Sequence, residues 1–435
     1  MNFSLSSSGI KELRKRLFFT LIALIVYRIG VYIPVPGLEP EHLSRLFNQQ
    51  INPLVSHFNM ISGGALGRFT LFALGLSPYI SASIIMQQLL PKIVPSLGKL
   101  MKEGESGQRR LNQYTRYLTM GLACIQSFIS TRWIISLGVT LSSTINFYCI
   151  SILTLVAGAL FLMWLGEQIT ERGMGNGISL IIFAGIISDL PSAVLYFIEE
   201  LRQGKMNVWV ALLTIAIVIT VVNFVVFMER AQRKITVHYP QRQQGRRMYA
   251  AQVSHLPLKL NMSGVLPTIF ASIIVIVPSM LIGWTGFSEN SPFLKKISLM
   301  LLPGQPLYMI LLSIAIVFFC FFYLAFMFNP TEIADNLKKS GAFIPGLRPG
   351  EQSAQYLDGV MTRLTVVGCM YLLLVVLLPS FMVSIFETPF AFGGTSLLIS
   401  VVVVIEFVAQ VQSLMMSHQY ESLLKKAKLK GLSTK

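Results

Sequence analysis

The segment Met60–Pro95 contains an interrupted membrane span, and this interruption limits the folds that the chain can adopt. Its first part, Gly63–Gly75, is rich in glycine, carries Arg68 and would rise only ~20 Å as a helix. A bilayer core is ~30 Å thick and takes about 20 apolar residues to cross. A break at Gly75-Leu76-Ser77-Pro78 precedes a second apolar run. Because interrupted backbone is tolerated at membrane depth only inside protein or around a water-filled cavity, the segment predicts a cavity within the membrane.

The composition excludes an ordinary soluble protein, since only 12% of the 435 residues are charged and the mean hydropathy is +0.65. Hydropathy predicts ten spans and therefore an all-α polytopic membrane protein. The predicted spans are Leu17–Ile33, Ser77–Val94, Tyr117–Leu137, Phe147–Leu165, Ile178–Phe197, Trp209–Phe227, Leu266–Trp284, Leu307–Phe328, Leu364–Phe386 and Ser396–Met416.

The distribution of basic residues predicts the orientation of these spans. The run Lys11–Arg16 precedes the first span, as in a signal peptide, but no small-residue cleavage site follows, so we expect a retained span. With a cytoplasmic N-terminus, most of the 35 lysine and arginine residues fall on the cytoplasmic side. The opposite orientation would violate the positive-inside rule, so both termini are predicted to be cytoplasmic.

Ten spans divide into two sets of five, and an odd number makes the second set enter the membrane from the opposite face. If the two halves share a fold, they are related as inverted repeats. The predicted N-terminal half is 1–197, with a hinge connection at 198–208, a C-terminal half at 209–416 and a cytoplasmic tail at 417–435.

Two predicted cytoplasmic loops, 229–265 and 329–363, are longer than a connection requires. In the first, Ile235, Val237 and Tyr239 alternate with polar residues before the turn region QRQQGRR, which predicts a β-hairpin followed by an extended return. Arg242, Arg246 and Arg247 lie at or near its tip, and Arg348 lies in the second loop. These charges indicate a docking surface for a large acidic partner, or alternatively topology control with attraction to anionic lipids.

The residues that usually carry catalysis are not arranged for it. All five histidines lie outside the apolar runs, and no phosphate-binding loop or catalytic motif is present, so no catalytic or metal-binding residue and no cofactor is predicted. The run Gly173–Gly177 is interpreted as a turn before the fifth span. The four cysteines are interpreted as small buried hydrophobic residues. Arg28 and Glu406 are ionisable residues inside predicted spans, and an interhelical hydrogen bond is the simplest role for Glu406.

Nearly the whole chain, from Lys11 to Gly431, resembles the SecY family of protein-conducting channels, most closely its bacterial members. The motifs that carry this resemblance are FNMISGGALGRFTLFALG, SPYISASII, KEGESGQRRLNQYTRY, FLMWLGEQITERGMGNGISLIIFAGI, RQQGRRMYAAQVSHLPLKLNMSGVLPTIFA, FNPTEIADNLKKSGAFIPGLRPGEQ, FGGTSLLI and AQVQSLMMSHQYE.

The resemblance implies an hourglass pore of ten spans that passes unfolded polypeptide across the membrane or sideways into it. It assigns Met60–Leu74 as a half-helical plug, including Ser62, Gly63, Gly64, Ala65, Leu66, Gly67, Arg68, Phe69, Thr70 and Leu71. It assigns a ring of aliphatic side chains at the constriction, which are Leu76, Ile80, Ile178, Ile182, Ile269 and Ile399. Leu76 stands where the family often has isoleucine, and the volume and polarity are retained.

The resemblance also implies a lateral gate between spans two and three on one side and spans seven and eight on the other, with Gln87 as its polar residue. Arg242, Arg246, Arg247 and Arg348 match the family's docking residues for SecA or the ribosome, with its 23S rRNA and exit-tunnel proteins. SecE, SecG, signal-bearing nascent chains and anionic lipids are further implied partners, in a bacterial inner membrane. The alternative is a secondary transporter with a solute site at the broken second span; an intramembrane hydrolase has little support.

Overall fold

The structure is a computed structural model in which the chain divides into two compact units. The first unit comprises Met1–Tyr196 with Val403–Lys435, and the second comprises Phe197–Val402. The structure describes residues 7–38, 43, 62–136, 138, 144–205, 207–239, 242–244, 247–249, 252–284, 300–301, 305–386 and 394–432.

The first unit is built from helices that follow the predicted apolar runs. They are α1 (Ser7–Gly30), α2 (Ser77–Ser83), α3 (Leu90–Ile93), α4 (Pro95–Lys102), α5 (Glu105–Ser136), α6 (Thr144–Arg172) and α7 (Gly177–Arg202), whose last residues belong to the second unit. A π-helical turn, Ile84–Leu89, joins α2 to α3, and Pro78 lies in the first turn of α2, where a missing N–H costs nothing. The second predicted span is therefore three short helical pieces rather than one regular helix.

The glycine-rich run Gly173–Gly177 forms the turn between α6 and α7, as predicted. Thr20 on α1 accepts a hydrogen bond from the backbone N–H of Met174 at 3.0 Å. Thr170 accepts another from the N–H of Gly177 at 2.9 Å. A Cβ on Gly177 would collide with the carbonyl oxygen of Gly166, so glycine is required where α7 begins against α6. The run is thus a packed structural turn.

The second unit contains the remaining helices and the four strands. They are α8 (Val208–Arg230), β1 (Gln232–Tyr239), β2 (Arg242–Gln244), β3 (Arg247–Tyr249), β4 (Gln252–Lys259), α9 (Leu266–Trp284), α10 (Pro306–Met327), α11 (Pro330–Lys339), α12 (Glu351–Phe386) and α13 (Gly394–Leu432), which continues into the first unit. Asn207 caps α8, because its side-chain oxygen accepts from the N–H of Trp209 at 3.3 Å.

The predicted hairpin in loop 229–265 is confirmed, and its return strand is longer than the alternation indicated. β1 pairs antiparallel with β4 from Gln232↔Lys259 to Tyr239↔Gln252. β2 and β3 form a second short antiparallel pair near the tip. Ile235 and Val237 are buried, as their alternation with polar residues predicts, whereas Tyr239 is exposed.

Seven helices in the described part of the chain are long and apolar enough to cross a membrane, which is consistent with ten spans. They correspond to the predicted spans three to six and eight to ten. The other three predicted spans coincide with α1, with the α2–α3 pieces and with α9. The chain is a helical multi-pass membrane protein. Among the cysteines, Cys320 and Cys369 are buried as expected, whereas Cys124 and Cys149 are exposed.

Candidate functional site

The described part of the predicted plug, Ser62–Leu74, is a succession of turns rather than the expected half-helix. Gly63 and Gly64 have φ angles of 67° and 84°, and Phe69 has a φ of 44°. A right-handed helix requires negative φ throughout, so these three residues interrupt it. The left-handed conformation is unfavourable for phenylalanine, and it is held here because Phe69 is fully buried. Met60 and Ile61 lie outside the described residues.

The plug is tied to the extended chain that follows α1. The N–H of Val35 donates to the carbonyl oxygen of Phe69 at 3.1 Å, and the N–H of Leu71 donates to that of Ile33 at 3.0 Å. These bonds form an isolated antiparallel bridge between Pro34 and Thr70. Within the plug, the Ser62 hydroxyl accepts from the N–H of Leu66 at 3.2 Å. Several backbone groups of the plug are therefore hydrogen-bonded without regular secondary structure.

Two side chains of α1 hold the beginning of the plug. The Tyr27 hydroxyl donates to the carbonyl oxygen of Ser62 at 3.4 Å. The Arg28 Nη1 donates to the carbonyl oxygen of Gly63 at 3.2 Å, and its Nη2 donates to the Tyr32 hydroxyl at 3.3 Å. Arg28, which the sequence marks as an ionisable residue in the first span, thus contacts plug backbone.

Apolar contacts fix the end of the plug against α1 and α6. The ring of Phe72 stacks between those of Tyr27, at a centroid distance of 6.0 Å, and Phe161, at 5.9 Å. A Cβ on Gly158 would collide with the carbonyl of Leu71, so α6 approaches the plug through a glycine. A larger buried cluster joins plug side chains to their neighbours and is formed by Val35, Leu38, Leu43, Leu66, Phe69, Ala73, Ile134, Phe147 and Leu155.

The six predicted ring residues are divided between the units. Leu76, Ile80, Ile178 and Ile182 belong to the first unit, and Ile269 and Ile399 belong to the second. Leu76 and Ile80 are linked by a helical backbone hydrogen bond of 2.9 Å, and Ile178 and Ile182 have the same four-residue spacing on α7, so each pair shares a helix face. All six are buried or half-buried. Their assembly into one ring remains a prediction.

Gln87 lies in the π-helical turn and joins the second and third predicted spans. Its Nε2 donates to the Asn112 Oδ1 on α5 at 3.3 Å. Next to it, Arg116 on α5 forms a two-point ion pair with Glu167 on α6, at 2.7 and 3.2 Å. In the second unit, Phe270 on α9 contacts Phe319 on α10 edge to face at 5.8 Å. Each side of the predicted gate is thus a packed pair of spans within its own unit.

The two long loops form one packed module in the second unit. His238 in β1 and Phe343 in the second loop exchange backbone hydrogen bonds of 2.9 and 3.0 Å, and their rings lie 6.0 Å apart. Below this bridge is a buried cluster from both loops and the adjoining helices, formed by Ile235, Leu258, Leu324, Ile344, Leu357 and Met361. Arg348 is exposed on this module. Arg242 and Arg247 lie in β2 and β3, and Arg246 lies outside the described residues.

A buried polar network fixes the base of the hairpin. The Asn261 Nδ2 donates to the Glu229 Oε1 at 2.7 Å, and the Tyr371 hydroxyl donates to the same oxygen at 3.3 Å. The Ser263 hydroxyl donates to the Asn261 Oδ1 at 3.1 Å. The strands therefore return to α8 and α12 at a defined point, which positions the loop module.

Two ionisable residues differ from the sequence interpretation. Glu406 is exposed on α13, so an interhelical hydrogen bond has no support in the described structure. Asp189, which the sequence interpretation did not single out, lies on α7 beside the plug: a Cβ on Gly64 would be 3.9 Å from its Oδ1. The signal that marks it is a carboxylate inside the predicted fifth span.

Comparison with known proteins identifies the family. A family model described as SecY matches residues 70–408. The protein translocase subunit SecY of Pseudomonas aeruginosa is 56% identical over 428 residues, covering 98% of this chain and 97% of the relative. That of Escherichia coli strain K12 is 55% identical over 435 residues, covering 99% and 98%. The chain belongs to the SecY family.

Solved channel structures share its fold. A structure described as a protein conducting channel matches with a TM-score of 0.64 and 20% identity, covering 93% of both chains. Sec61 in a canine ribosome-channel complex matches with a TM-score of 0.63 and 18% identity, again over 93% of both. The SecY-family chain is the pore-forming subunit of a protein translocon and not an enzyme. The alternative of a secondary transporter is not supported.

Proposed function

We propose that this SecY-family chain is a passive pore for unfolded polypeptides, closed at rest by the plug Met60–Leu74. The proposal is carried by one observation, which is how a segment too short to span the membrane is held in place. Its turns hydrogen-bond to Tyr27, to Arg28 and to the extended chain after α1, and its side chains pack on α6. Such a segment blocks a cavity without filling it with a continuous helix. Its contacts are numerous yet individually modest, so an entering chain displaces it.

The constriction is proposed to be a collar of Leu76, Ile80, Ile178, Ile182, Ile269 and Ile399. Branched aliphatic side chains exclude ions by dewetting, because a narrow apolar passage does not hold a continuous column of water. They also deform around a passing polypeptide. The shared faces of Leu76 with Ile80, and of Ile178 with Ile182, support this arrangement.

Lateral exit is proposed between spans two and three and spans seven and eight. Gln87 places an amide in the second span, where exposure to lipid carries an energetic cost. Its hydrogen bond to Asn112 offsets that cost within one side of the gate. A hydrophobic signal sequence that enters the gate replaces contacts there and favours opening.

The loop module is proposed to dock the partner that drives transport, which is the translating ribosome or SecA. Structures of the canine Sec61 ribosome-channel complex and of yeast Ssh1 bound to the 80S ribosome share this fold. The formal net charge of +16 favours the acidic surfaces of ribosomal RNA, including 23S rRNA near the exit-tunnel proteins. Arg242, Arg246, Arg247 and Arg348 are the proposed contact residues. SecE, SecG and anionic lipids are further proposed partners.

The proposed location is the bacterial inner membrane, with both chain termini in the cytoplasm. The excess of lysine and arginine in the N-terminal segment, in the loops 229–265 and 329–363 and in the tail supports this orientation.

A photo-crosslinker at Ile182 tests the pore assignment. Ile182 is 8% exposed on α7, whereas Ile187 on the same helix is 40% exposed and serves as the matched control. An arrested secretory chain is expected to be captured from Ile182 and not from Ile187. Capture of lipid at both positions, with no secretory chain at Ile182, contradicts a pore lined by this face of α7.

A further inference from the structure

Asp189 is a carboxylate within a predicted membrane span, and the helix face that carries it meets the plug. An ideal Cβ on Gly63 would lie 2.9 Å from the Cα of Gly185, so the plug backbone runs directly against α7 there. Gly185 and Asp189 are four residues apart and therefore share a face. An ideal Cβ built on Gly64, the next plug residue, would approach the Asp189 carboxylate. The side chain of Asp189 is half-buried at this contact.

Two arginines from two different elements lie near the part of the plug that this carboxylate approaches. Arg28 on α1 holds the carbonyl oxygen of Gly63. Arg68, in the plug itself, has its guanidinium carbon 4.6 Å from the centre of the Tyr32 ring, and Arg28 lies 5.5 Å from the same ring. The anion on α7 thus lies in the same cluster of residues as a cation of α1 and a cation of the plug.

This arrangement suits a contact that keeps the plug closed at rest and yet breaks when an entering chain displaces the plug. A charged group at membrane depth is costly unless an opposite charge compensates it, and this cluster contains charges of both signs. Partly exposed ion pairs contribute modestly to stability, since water competes for both partners. A contact of that strength keeps a plug seated without making its displacement prohibitive.

We propose that Asp189 is an ionic latch of the closed plug, which acts by positioning Arg28 on the Gly63 carbonyl and by holding Arg68 beside Tyr32. Asp189 is a positioning residue, since it acts on the plug through the two arginines. Displacement of the plug separates Asp189 from Arg68, so the latch stabilises only the closed state. The inference rests on the proposed function of Met60–Leu74 as the plug.

The test measures ion leak through the resting channel, with the full chain purified together with its co-purifying subunits and reconstituted into vesicles. Asp189→Asn keeps the shape and removes the charge, and we expect the leak to rise about three- to tenfold. Asp189→Glu restores the charge and is expected to return the leak toward the parent value. Glu199→Gln, the same charge change at an exposed position of α7, is the matched control and is expected to leave the leak unchanged.

A second readout follows the plug itself. In a chain whose four native cysteines are replaced by alanine, Ala65→Cys places a thiol in the plug at a residue that is 0% exposed. We expect a membrane-impermeant maleimide added outside to label it several-fold faster when Asp189→Asn is also present. Arg28→Gln is expected to have less effect in the Asp189→Asn background than in the parent, because the two residues act together.

Deletion of Ser62–Leu71 distinguishes failure of the latch proposal from failure of the proposed plug function. If the deletion leaks but Asp189→Asn has the parent's leak and labelling rate, the latch is overturned and the plug function stands. If neither leaks, the plug function is overturned as well. If Asp189→Glu leaks as much as Asp189→Asn, or if the effects of Asp189→Asn and Arg28→Gln are additive, the contact is not the ionic latch described.

Discussion

At the scale of single residues, two membrane helices approach the plug closely at a glycine. Gly158 on α6 leaves room for the backbone of Leu71, and Gly30 on α1 leaves room for the ring of Phe72. A side chain at either position would occupy space that the plug already fills. Close packing of this kind makes the plug sensitive to the addition of a single methyl group.

Gly158→Ala is therefore expected to displace the plug from α6. The new Cβ meets backbone, which shifts less easily than a side chain, so we expect a cost of ~1–3 kcal/mol and a raised ion leak. Gly121→Ala is the matched control, because a Cβ on this glycine of α5 meets nothing within 4 Å. It is expected to be neutral or stabilising by ~0.5–1 kcal/mol, since alanine favours helix. Thermal unfolding in detergent measures the stability of the two variants, and ion leak from vesicles measures the seating of the plug. Equal stability and equal leak for Gly158→Ala and Gly121→Ala would contradict the close contact of Gly158 with Leu71.

At the scale of elements, the two long loops, 229–265 and 329–363, behave as one folded module rather than as two flexible connections. The His238–Phe343 bridge joins them at backbone level, and the cluster around Leu357 joins them through side chains. The hydrogen bonds of Asn261 and Tyr371 to Glu229 fix the hairpin at its base. The arginine-bearing surface is thus held by a small core of its own.

Leu357→Ala is expected to loosen this module. Leu357 is 0% exposed, and truncating such a side chain typically costs ~2–5 kcal/mol. Limited proteolysis of the loops, which follows local opening, should be accelerated several-fold, while the membrane spans stay protected. Tyr356→Ala is the control, since its side chain is 39% exposed on the same helix. Unchanged proteolysis of Leu357→Ala would contradict a shared core.

The hairpin and the plug show which elements the sequence predicts well. Alternation of Ile235 and Val237 with polar residues predicted β1, because successive side chains of a strand point to opposite faces and the pattern is visible in a short run of sequence. The pairing of β1 with β4 over its full length was not predicted, since it joins residues separated by the tip of the loop. The half-helix predicted for the plug was wrong, because tertiary burial holds Phe69 in a left-handed conformation that no local pattern indicates.

At the scale of the whole molecule, the distribution of charge predicts how the chain is oriented in the membrane. The hinge connection 198–208 is predicted to face outward, while the loop module and the tail face the cytoplasm. An alkaline phosphatase reporter, which is active only outside, is expected to be active after Lys205 and inactive after Arg348 or at the C-terminus. The reverse pattern would contradict the predicted orientation.

Docking is a second property of the whole molecule, since the basic surface acts through a long-range field. Arg348 is exposed, and its loop is fixed by the bond from the Ser353 hydroxyl to the Arg348 carbonyl oxygen at 2.9 Å, so Arg348→Glu should leave the fold intact. We expect ribosome affinity to fall about three- to tenfold at low salt and less at high salt. Arg202→Glu, an equal charge reversal at the end of α7, is the control. Equal binding by both variants would contradict docking through Arg348.

The sequence by itself determined that this chain is a multi-pass helical membrane protein of the SecY family, with an interrupted second span and two basic loops. Hydropathy, charge and motifs are local properties, and residues adjacent in the sequence carry them. Only the tertiary structure decided that Asp189 lies beside Gly64, that Gly158 admits Leu71 and that His238 pairs with Phe343. These contacts join residues far apart in the chain, and their energies depend on burial and geometry that no local pattern encodes.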